Sequence, residues 1–247
     1  MVYKSFAHFY DELMAHAPYD RWIELTESLI LQKQDKTKTI LDLGCGTGEI
    51  TLGLAKGSRT VTGVDYSAEM LTVAQVKAQE SSKDIKWIQQ DIKLLNGFTD
   101  VDLIVSYCDV LNYITEIEDV ESVFSHVYNS LGELGTFVFD VHHQPFVNNH
   151  LINKTFADVN DETSYIWFCY EGEEAGSIEH DITFFVKENG MYKKITEYHE
   201  QRIFSLDEYR IALNNAGFNK IKFRVDFDLE NENITDEVDR IFIIAEK

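Results

Sequence analysis

Basic residues and cysteines are scarce in this chain of 247 residues, and each shortage excludes a class of function. Lysine and arginine number 22 against 43 aspartates and glutamates, so the formal net charge is −21. A surface this acidic repels phosphate backbones, which argues against a nucleic-acid substrate. The three cysteines are far apart and form no C-x-x-C pair, so we expect neither a disulfide framework nor a metal site built on cysteine.

Long apolar runs are also missing. No window reaches 18 consecutive apolar residues, and the first residues lack the apolar segment of a signal peptide. We therefore expect a cytoplasmic protein that does not bind membranes. Hydrophobic residues still make up 44% of the chain, which is enough for the core of a single α/β domain over residues 1–247.

Strand-like and helix-like segments alternate between residues 37 and 142. Two helices are expected before them, Tyr3–Met14 and a second one capped by Asp20. The alternation predicts a parallel sheet with right-handed crossovers. Its predicted strands are Thr39–Leu43, Thr60–Asp65, Ile85–Gln89, Val101–Tyr107 and Thr136–Val141, and the helices between them are Glu49–Lys56, a helix capped by Ser67, and Ile117–Leu131.

The pattern changes at residue 143. After an irregular stretch to residue 161, three long segments rich in aromatic residues and threonine predict an antiparallel insertion, and Asn189-Gly190 is typical of a hairpin turn. Ser205 then caps a predicted helix that ends before Gly217. The three strands are predicted at Ser164–Tyr170, Ser177–Val186 and Tyr192–Phe204, and two closing strands at Phe218–Phe227 and Arg240–Ala245.

The most informative motif is a glycine turn after the first predicted strand. Gly44, Gly46 and Gly48 stand at every second position, and a helical segment follows. A strand, a glycine turn and a helix form the unit on which nucleotide ligands bind. A dinucleotide fingerprint needs G-x-G-x-x-G, but Glu49 stands where its third glycine would fall. A P-loop needs a lysine that is absent here, so NAD and ATP each miss one element.

Three acids lie near the ends of predicted strands. Asp65, 17 residues after Gly48, can accept both hydroxyls of a ribose, or it can cap the next helix as Ser67 can. Asp91 can accept a hydrogen bond from an exocyclic amine such as that of adenine, with Ile92 on the ring face, or it can be a solvated turn residue. Asp42, just before the glycine turn, can bind an amine or a water shell.

Together these motifs resemble the class I S-adenosylmethionine-dependent methyltransferases. The resemblance implies a Rossmann-like, doubly wound, seven-stranded and mostly parallel sheet whose last strand is antiparallel. It implies S-adenosylmethionine as cofactor and S-adenosylhomocysteine as product. It covers about residues 38–142 and rests on Leu41–Gly48, Gly63–Ser67 with Met70-Leu71, Gln90–Ile92, Asp102–Val105 and Ser130–Thr136, with a further similarity in Phe204–Tyr209 and Ala216–Phe218.

The N-terminal segment resembles the lid of this family. Tyr3, Phe6, Ala7, Tyr10 and Asp11 match a Y-x-x-F-A-x-x-Y-D pattern, and in such members a tyrosine closes over the methionine end of the cofactor. Ordinary aromatic packing is the alternative. The resemblance divides the chain into a helical lid (1–36), a cofactor-binding core (37–142), an antiparallel β-hairpin insertion (143–204) and closing elements (205–247).

The residues predicted to bind the cofactor come from the lid and from the ends of the predicted strands. Asp109 could equally be a helix cap. They are Tyr3, Tyr10, Asp42, Gly44, Cys45, Gly46, Gly48, Asp65, Tyr66, Met70, Asp91, Ile92, Tyr107 and Asp109.

For catalysis we single out His142 and Tyr10, and we expect no metal. His142 leaves the fifth predicted strand and could take a proton from the acceptor, although it could also be a loop histidine without a role. The expected reaction is methyl transfer to the nitrogen or oxygen of a small molecule. The alternatives are a non-catalytic cofactor-binding module and an NAD(P)-dependent oxidoreductase.

The aromatic residues of the predicted insertion allow two interpretations. They form the roof of the acceptor pocket, or they form the surface of a homodimer. These residues are Tyr165, Trp167, Phe168, Tyr170, Phe184 and Phe185.

Overall fold

The computed structural model describes residues 10–11, 14, 17–34, 36–188 and 190–247. Tyr3 and most of the first predicted helix lie outside these residues. The first helix with described bounds, α1 (Tyr19–Gln32), begins directly after Pro18 and has no side-chain cap. The prediction that Asp20 caps it is therefore wrong. Because the helix starts one residue earlier, Asp20 lies in its first turn, where a carboxylate still interacts favourably with the helix dipole.

Strands alternate with helices or 3₁₀ turns from residue 39 to residue 150, and most of the later strands follow one another directly. The bounds of most elements agree with the predicted segments within a few residues. Short 3₁₀ turns occur at Ile92–Leu94 and Val110–Tyr113. The elements are β1 (Thr39–Leu43), α2 (Glu49–Leu54), β2 (Thr60–Asp65), α3 (Ala68–Glu80), β3 (Lys86–Gln89), β4 (Val101–Ser106), α4 (Ile117–Ser130), β5 (Leu131–His142), α5 (Gln144–His150), β6 (Thr155–Val159), β7 (Thr163–Glu171), β8 (Ser177–Glu188), β9 (Met191–Arg202), α6 (Leu206–Ala216), β10 (Lys220–Val225) and β11 (Arg240–Glu246).

The main sheet has seven strands in the order β10-β11-β5-β4-β1-β2-β3. The strands from β1 to β5 run parallel, whereas β11 is antiparallel to β5 and β10 is antiparallel to β11. The predicted Rossmann-like sheet with an antiparallel last strand is confirmed. Strand β1 lies between β2 and β4, so the strand order reverses there. Ligands of such sheets bind at this point, outside the carboxyl ends of the strands.

Apolar clusters cover both faces of the main sheet, as a doubly wound fold requires. On one face Phe124 of α4 packs against Phe137 and Phe139 of β5, with ring centroids 5.9 and 5.3 Å apart. On the other face Trp22 and Leu25 of α1 are buried. Burial on both faces explains why the central strands are continuous apolar runs.

The insertion is a second sheet of four antiparallel strands, in the order β6-β7-β8-β9. Only three strands were predicted, and the stretch predicted to be irregular contains α5 and β6. Strand β6 is mostly exposed. Because neither of its faces is buried, its sequence lacks the alternation of apolar and polar residues that predicts a strand. Its conformation comes from pairing with β7, in which Thr155 lies opposite Phe168 and Val159 opposite Ser164.

Candidate functional site

The glycine turn follows β1 at the carboxyl edge of the main sheet. Gly44, Gly46 and Gly48 have φ angles of +73°, +53° and +84°, which L-residues with a side chain rarely adopt. A Cβ on Gly44 would lie 2.5 Å from Val110, whereas a Cβ on Gly46 would meet nothing within 4 Å. The turn therefore packs tightly at Gly44 and leaves the space at Gly46 open.

Asp65 connects the end of β2 to this turn. Its Oδ2 accepts a hydrogen bond from the backbone N–H of Gly46 at 2.8 Å, and its Oδ1 accepts one from the N–H of Ser67 at 2.8 Å. The Ser67 hydroxyl, rather than Asp65, caps α3 by accepting from the N–H of Met70. Burial raises the pKa of Asp65, and the hydrogen bonds from Ser67 and Gly46 partly oppose that rise. Its predicted role as the ribose acceptor stays a prediction.

Asp42 lies under the turn and is 3% exposed. The hydroxyl of Thr51 donates to its Oδ2 at 2.5 Å. Burial raises the pKa of Asp42 to about 7, although the hydrogen bond from Thr51 lowers it. A carboxyl group with this pKa changes its charge near neutral pH.

A narrow cleft of about 40 Å³ opens over the glycine turn. It brings together six of the residues predicted from the sequence: Tyr10, Asp42, Gly44, Cys45, Gly46 and Tyr107. Five further residues complete its lining and were not among those predicted to bind the cofactor: Tyr19, Thr47, Glu49, Ile50 and Cys108. Thr47 lies within the glycine motif and Glu49 directly follows it, so their closeness to the motif could have identified them as cleft residues.

The N-terminal segment is held on the glycine turn by polar contacts. Thr47 Oγ1 donates to Asp11 Oδ1 at 2.6 Å, and Lys77 of α3 pairs with Asp11 at 2.5 Å and with Glu49 at 2.7 Å. Tyr10 faces the cleft, and burial raises the pKa of its phenol well above 10. Tyr10 is therefore a hydrogen-bond donor rather than a base at neutral pH, and its catalytic role stays a prediction.

Other predicted residues surround the turn without lining the cleft. Gly48 packs beneath Trp87, where an added Cβ would lie 2.6 Å from the indole. Asp91 Oδ1 accepts from the N–H of Lys93 at 2.9 Å. The side chain of Tyr66 is 76% exposed, and Met70 packs against the insertion.

The end of β3 lies beside Asp65, because the N–H of Gln90 donates to the Asp65 carbonyl at 3.0 Å. This contact places Asp91 and Ile92 at the same edge of the sheet as the ribose candidate. Ile92 is half-buried and packs on the main core. The adenine role of both residues stays a prediction.

After β4 the chain makes a strained turn at the mouth of the cleft. Tyr107 is buried, and its hydroxyl shares a hydrogen bond of 2.8 Å with Thr26 of α1. Cys108 and Asp109 follow with φ angles of +60° and +53°. Left-handed conformations of such residues cost roughly 1–3 kcal/mol each and persist only where the surrounding structure enforces them.

A buried charge network enforces the conformation of Asp109. Its carboxylate accepts hydrogen bonds from Arg240 of β11 at 3.2 Å and from the Gln201 amide at 2.8 Å. Burial alone would raise the pKa of Asp109, but His142, Arg240 and Gln201 outweigh it and hold the pKa below the usual value. Arg240 also binds Asp140, which is fully buried. The side chain of Asp109 caps no helix.

Gln201 continues this network into the insertion. The indole N–H of Trp167 donates to His180 Nδ1 at 3.0 Å, and His180 Nε2 lies 3.3 Å from Gln201 Oε1. Because Nδ1 accepts, the proton of neutral His180 is on Nε2 and donates to Gln201. Burial lowers the pKa of His180 to about 4. A directed chain of hydrogen bonds thus runs from Trp167 to Asp109.

His142, the predicted base, lies in the same network. Its Nε2 is 3.6 Å from Asp109 Oδ1 and its Nδ1 is 3.3 Å from Asp239 Oδ1. Both ring nitrogens therefore face carboxylates, and this arrangement orients the ring without directing a free nitrogen at the cleft. The catalytic role of His142 stays a prediction.

The described part of the chain contains no group of three or more histidine, cysteine or acidic side chains arranged to hold a metal ion. Within the same residues, every helix is too short or too polar to cross a membrane.

Comparisons with known proteins agree with this geometry. Residues 40–135 match the family model of a methyltransferase domain. Two relatives align over the whole chain at 40% identity: "Putative methyltransferase GWCH70_2453" of Geobacillus sp. (strain WCH70), covered over its full length, and "Putative methyltransferase YqeM" of Bacillus subtilis (strain 168), of which 98% is covered.

A solved structure is similar over the same length. The S-adenosylmethionine-dependent methyltransferase of Clostridium acetobutylicum ATCC 824 superimposes with a TM-score of 0.88 at 28% identity, covering 99% of this chain and 98% of that one. The chain belongs to the class I S-adenosylmethionine-dependent methyltransferases. It is accordingly an enzyme whose cofactor is S-adenosylmethionine, and the alternative of an NAD(P)-dependent oxidoreductase is discarded.

The residues present fit this cofactor. Gly46 leaves room for a ligand to approach the backbone, because among the described residues other than its chain neighbours no atom lies within 4 Å of the position its Cβ would take. The buried Asp42 can hold a positively charged group of the cofactor at the base of the cleft, while Tyr10 and Tyr19 border the same cleft.

Proposed function

We propose that this enzyme methylates a nitrogen or oxygen atom of a small molecule that binds between the glycine-turn edge and the insertion. The observation that carries the proposal is the packing of the insertion. Phe184, Val186 and Ile195 form an apolar cluster on the inner face of its sheet, and Tyr10 and Met70 pack against that cluster. The insertion thus reaches the lid tyrosine that borders the cleft.

The two faces of the insertion differ in a way that supports this role. Tyr165, Trp167 and Phe184 belong to the inner face, in agreement with a roof over the acceptor. Phe168, Tyr170 and Phe185 belong to the opposite face by strand alternation, and Phe168 and Tyr170 are exposed. The roof hypothesis therefore applies to half of the aromatic residues, and a homodimer surface remains a hypothesis for the other half.

The mechanism we propose depends on positioning. The cofactor supplies a methyl group already activated on a sulfonium sulfur. The glycine turn and Asp42 hold the cofactor end of the site, and the insertion excludes water and orients the acceptor in line with the methyl–sulfur bond. Such orientation can contribute roughly 7–11 kcal/mol to lowering the barrier. A general base is optional for a neutral amine.

The acidic surface supports a small acceptor over a nucleic acid. The formal charge of −21 would oppose the approach of a phosphate backbone. At the site, Arg240 is already bound by Asp109 and Asp140, and Lys77 by Asp11 and Glu49. These pairings leave the cleft better suited to neutral or cationic acceptors than to anions.

The test is transfer of labelled methyl groups from S-adenosylmethionine to a small-molecule extract. We expect label in at least one small-molecule fraction. Phe184→Ala should raise the acceptor KM tenfold or more, because it removes the inner wall, whereas Phe168→Ala on the outer face should change it less than twofold. Label found only in macromolecules, or equal effects of the two variants, would contradict the proposal.

A further inference from the structure

The inner face of the insertion carries a buried carboxyl group that the network around Asp109 does not use. Glu197 of β9 is 6% exposed. Among the residues that the structure describes, its Oε1 has no hydrogen-bond partner. The other buried polar side chains of this face, His180 and Gln201, are bonded to each other. Glu197 therefore stands apart as a buried acid with one oxygen, Oε1, left without a hydrogen bond among the described residues.

The position of Glu197 directs it toward the proposed acceptor pocket. Alternate residues of a strand share a face, so Glu197 lies between Ile195 and His199. Ile195 belongs to the cluster that packs on Tyr10. The ring of His199 lies 5.8 Å from the ring of Tyr113, which follows the Cys108–Asp109 turn. Glu197 thus lies between one residue whose cluster packs on a cleft-lining tyrosine, Tyr10, and one residue that contacts Tyr113 after the turn.

A buried acid without partners is unfavourable for folding. Removing a charge or a polar group from water costs several kcal/mol unless a partner replaces the water. Native structures keep few such groups, and they concentrate at functional sites. Burial raises the pKa of Glu197 accordingly. The two arginines at this end of the insertion have acidic partners of their own, because Arg202 pairs with Glu174 and Arg240 pairs with Asp109 and Asp140.

We propose that Glu197 binds the amino group of the methyl acceptor, so that the substrate is an amine-bearing small molecule. A neutral amine can donate a hydrogen bond to the carboxylate while its nitrogen lone pair attacks the methyl group, and the ammonium ion that forms as the methyl–sulfur bond breaks compensates the buried charge. A hydroxyl group would donate one hydrogen bond and leave the charge uncompensated. This inference rests on the proposed function, because it concerns the acceptor of the same reaction.

The experiment uses the small-molecule extract in two forms, untreated and treated with an amine-selective acetylating reagent. The full-length enzyme transfers labelled methyl groups from S-adenosylmethionine to each form. We expect label in the untreated extract and at least a tenfold loss after acetylation, because acetylation consumes the acceptor amines. Label that survives acetylation would overturn the amine assignment while the proposed function stands. Label in no small-molecule fraction would instead remove the proposed function and, with it, this inference.

The role of Glu197 is tested with the isosteric change Glu197→Gln, and Glu200→Gln serves as the matched control. Glu200 lies on the same strand, is exposed and faces the other side of the sheet. Glu197→Gln should lower kcat/KM for the acetylation-sensitive acceptor at least tenfold, mostly through KM, and the control should change it less than twofold.

Binding of S-adenosylhomocysteine, measured by calorimetry, is the second readout. We expect its Kd to be unchanged within twofold in both variants, which shows that the cofactor site is intact. Retention of wild-type kcat/KM by Glu197→Gln would overturn the assignment, and so would equal weakening of cofactor binding and acceptor turnover.

Discussion

The glycine-turn edge and the insertion, which we propose form opposite sides of the site, are built in different ways. At the glycine-turn edge the contacts come from backbone groups and strand ends that are close in sequence, such as the Gly46 N–H bound by Asp65. On the insertion side they come from side chains of distant elements, such as Gln201 of β9 and Arg240 of β11, which meet on Asp109. The first side is a local motif and the second depends on assembly of the whole fold.

The two sides also differ in how their polar groups are satisfied. Asp65 accepts two backbone hydrogen bonds, and Asp42 accepts one from Thr51. The insertion combines a chain of hydrogen bonds from Trp167 to Asp109 with a buried carboxyl oxygen, Glu197 Oε1, that has no partner in the part of the chain that the structure describes. We infer that the acids at the glycine-turn edge already have hydrogen-bond partners before the cofactor binds, whereas Glu197 of the insertion gains a partner for Oε1 only when the acceptor binds. The experiments below test this difference.

The largest effects are expected at the glycine turn. There, substitution of Gly44 should mainly lower stability, whereas substitution of Gly46 should mainly weaken cofactor binding. Gly44→Ala should lower the free energy of unfolding by about 2–4 kcal/mol, because the Cβ overlaps Val110 and φ is positive. Gly46→Ala meets open space and should cost about 1–2 kcal/mol from its φ angle alone. Its Cβ should nevertheless weaken cofactor binding at least tenfold.

Chemical denaturation and calorimetry with S-adenosylhomocysteine measure the two quantities separately. Gly46→Ala with unchanged affinity would show that the cofactor does not approach the backbone at this turn.

Asp65 tests the cofactor side directly. Asp65→Ala should weaken cofactor binding at least tenfold, because it removes the proposed ribose acceptor and also the contact that holds Gly46. Ser67→Ala is the control at the same strand end. It removes the cap of α3, which costs about 1 kcal/mol of stability, and should leave the Kd of S-adenosylhomocysteine within twofold. Equal affinities of both variants would refute the ribose assignment.

Asp42 predicts a pH dependence of cofactor binding. Its pKa of about 7 means that the free enzyme is mostly protonated there below pH 7, and a positively charged ligand prefers the carboxylate. Affinity should therefore rise a few-fold from pH 6 to 8 and then level off. Asp42→Asn should flatten this profile. Asp102→Asn, on β4 and outside the residues that line the cleft, should leave it unchanged; a flat wild-type profile would contradict the prediction.

The raised pKa of Asp42 also fixes how its contribution to the free energy of unfolding changes with pH. The folded pKa of Asp42 lies above the value of about 3.9 expected for an unfolded chain. Its contribution to stability is therefore present below pH 4 and is lost as the pH rises toward 7. Thermal unfolding of Asp42→Asn should show the smallest gain over wild type at low pH and the largest above pH 7.

Among the substitutions, the smallest effect on cofactor affinity is expected at Gln201, which bonds the insertion to Asp109. Gln201→Leu should raise the Kd of S-adenosylhomocysteine about threefold to tenfold, because the strained Cys108–Asp109 turn loses one of its supports. Glu200→Leu, on the exposed face of the same strand, is the control. The double variant Gln201→Glu/Asp109→Asn exchanges the two partners and keeps the total charge. It should recover part of the cofactor affinity that each of its two single changes loses. Additive losses in the double variant would show that the two residues act independently.

Much of the fold and part of the site could be predicted from the sequence. The glycine turn, the caps Ser67 and Ser205, and most of the strand and helix segments depend on short stretches with strong conformational preferences. Five of the six predicted residues in the cleft lie at or just after the ends of the paired strands β1 and β4. Strand β6 was not predicted, because its partner strand rather than its own pattern determines it.

What the sequence determined by itself is the cofactor side: three glycines at positive φ, an acid at the end of β2 and an acidic surface all follow from nearby residues or from composition. Only the tertiary structure decided the rest. It brought Arg240 and Gln201 to Asp109, placed Asp11 on Thr47, and buried Glu197 with its Oε1 unpartnered among the described residues. The physical reason is that backbone conformation is governed by neighbours in sequence, whereas burial and charge pairing depend on residues that meet only when the chain folds.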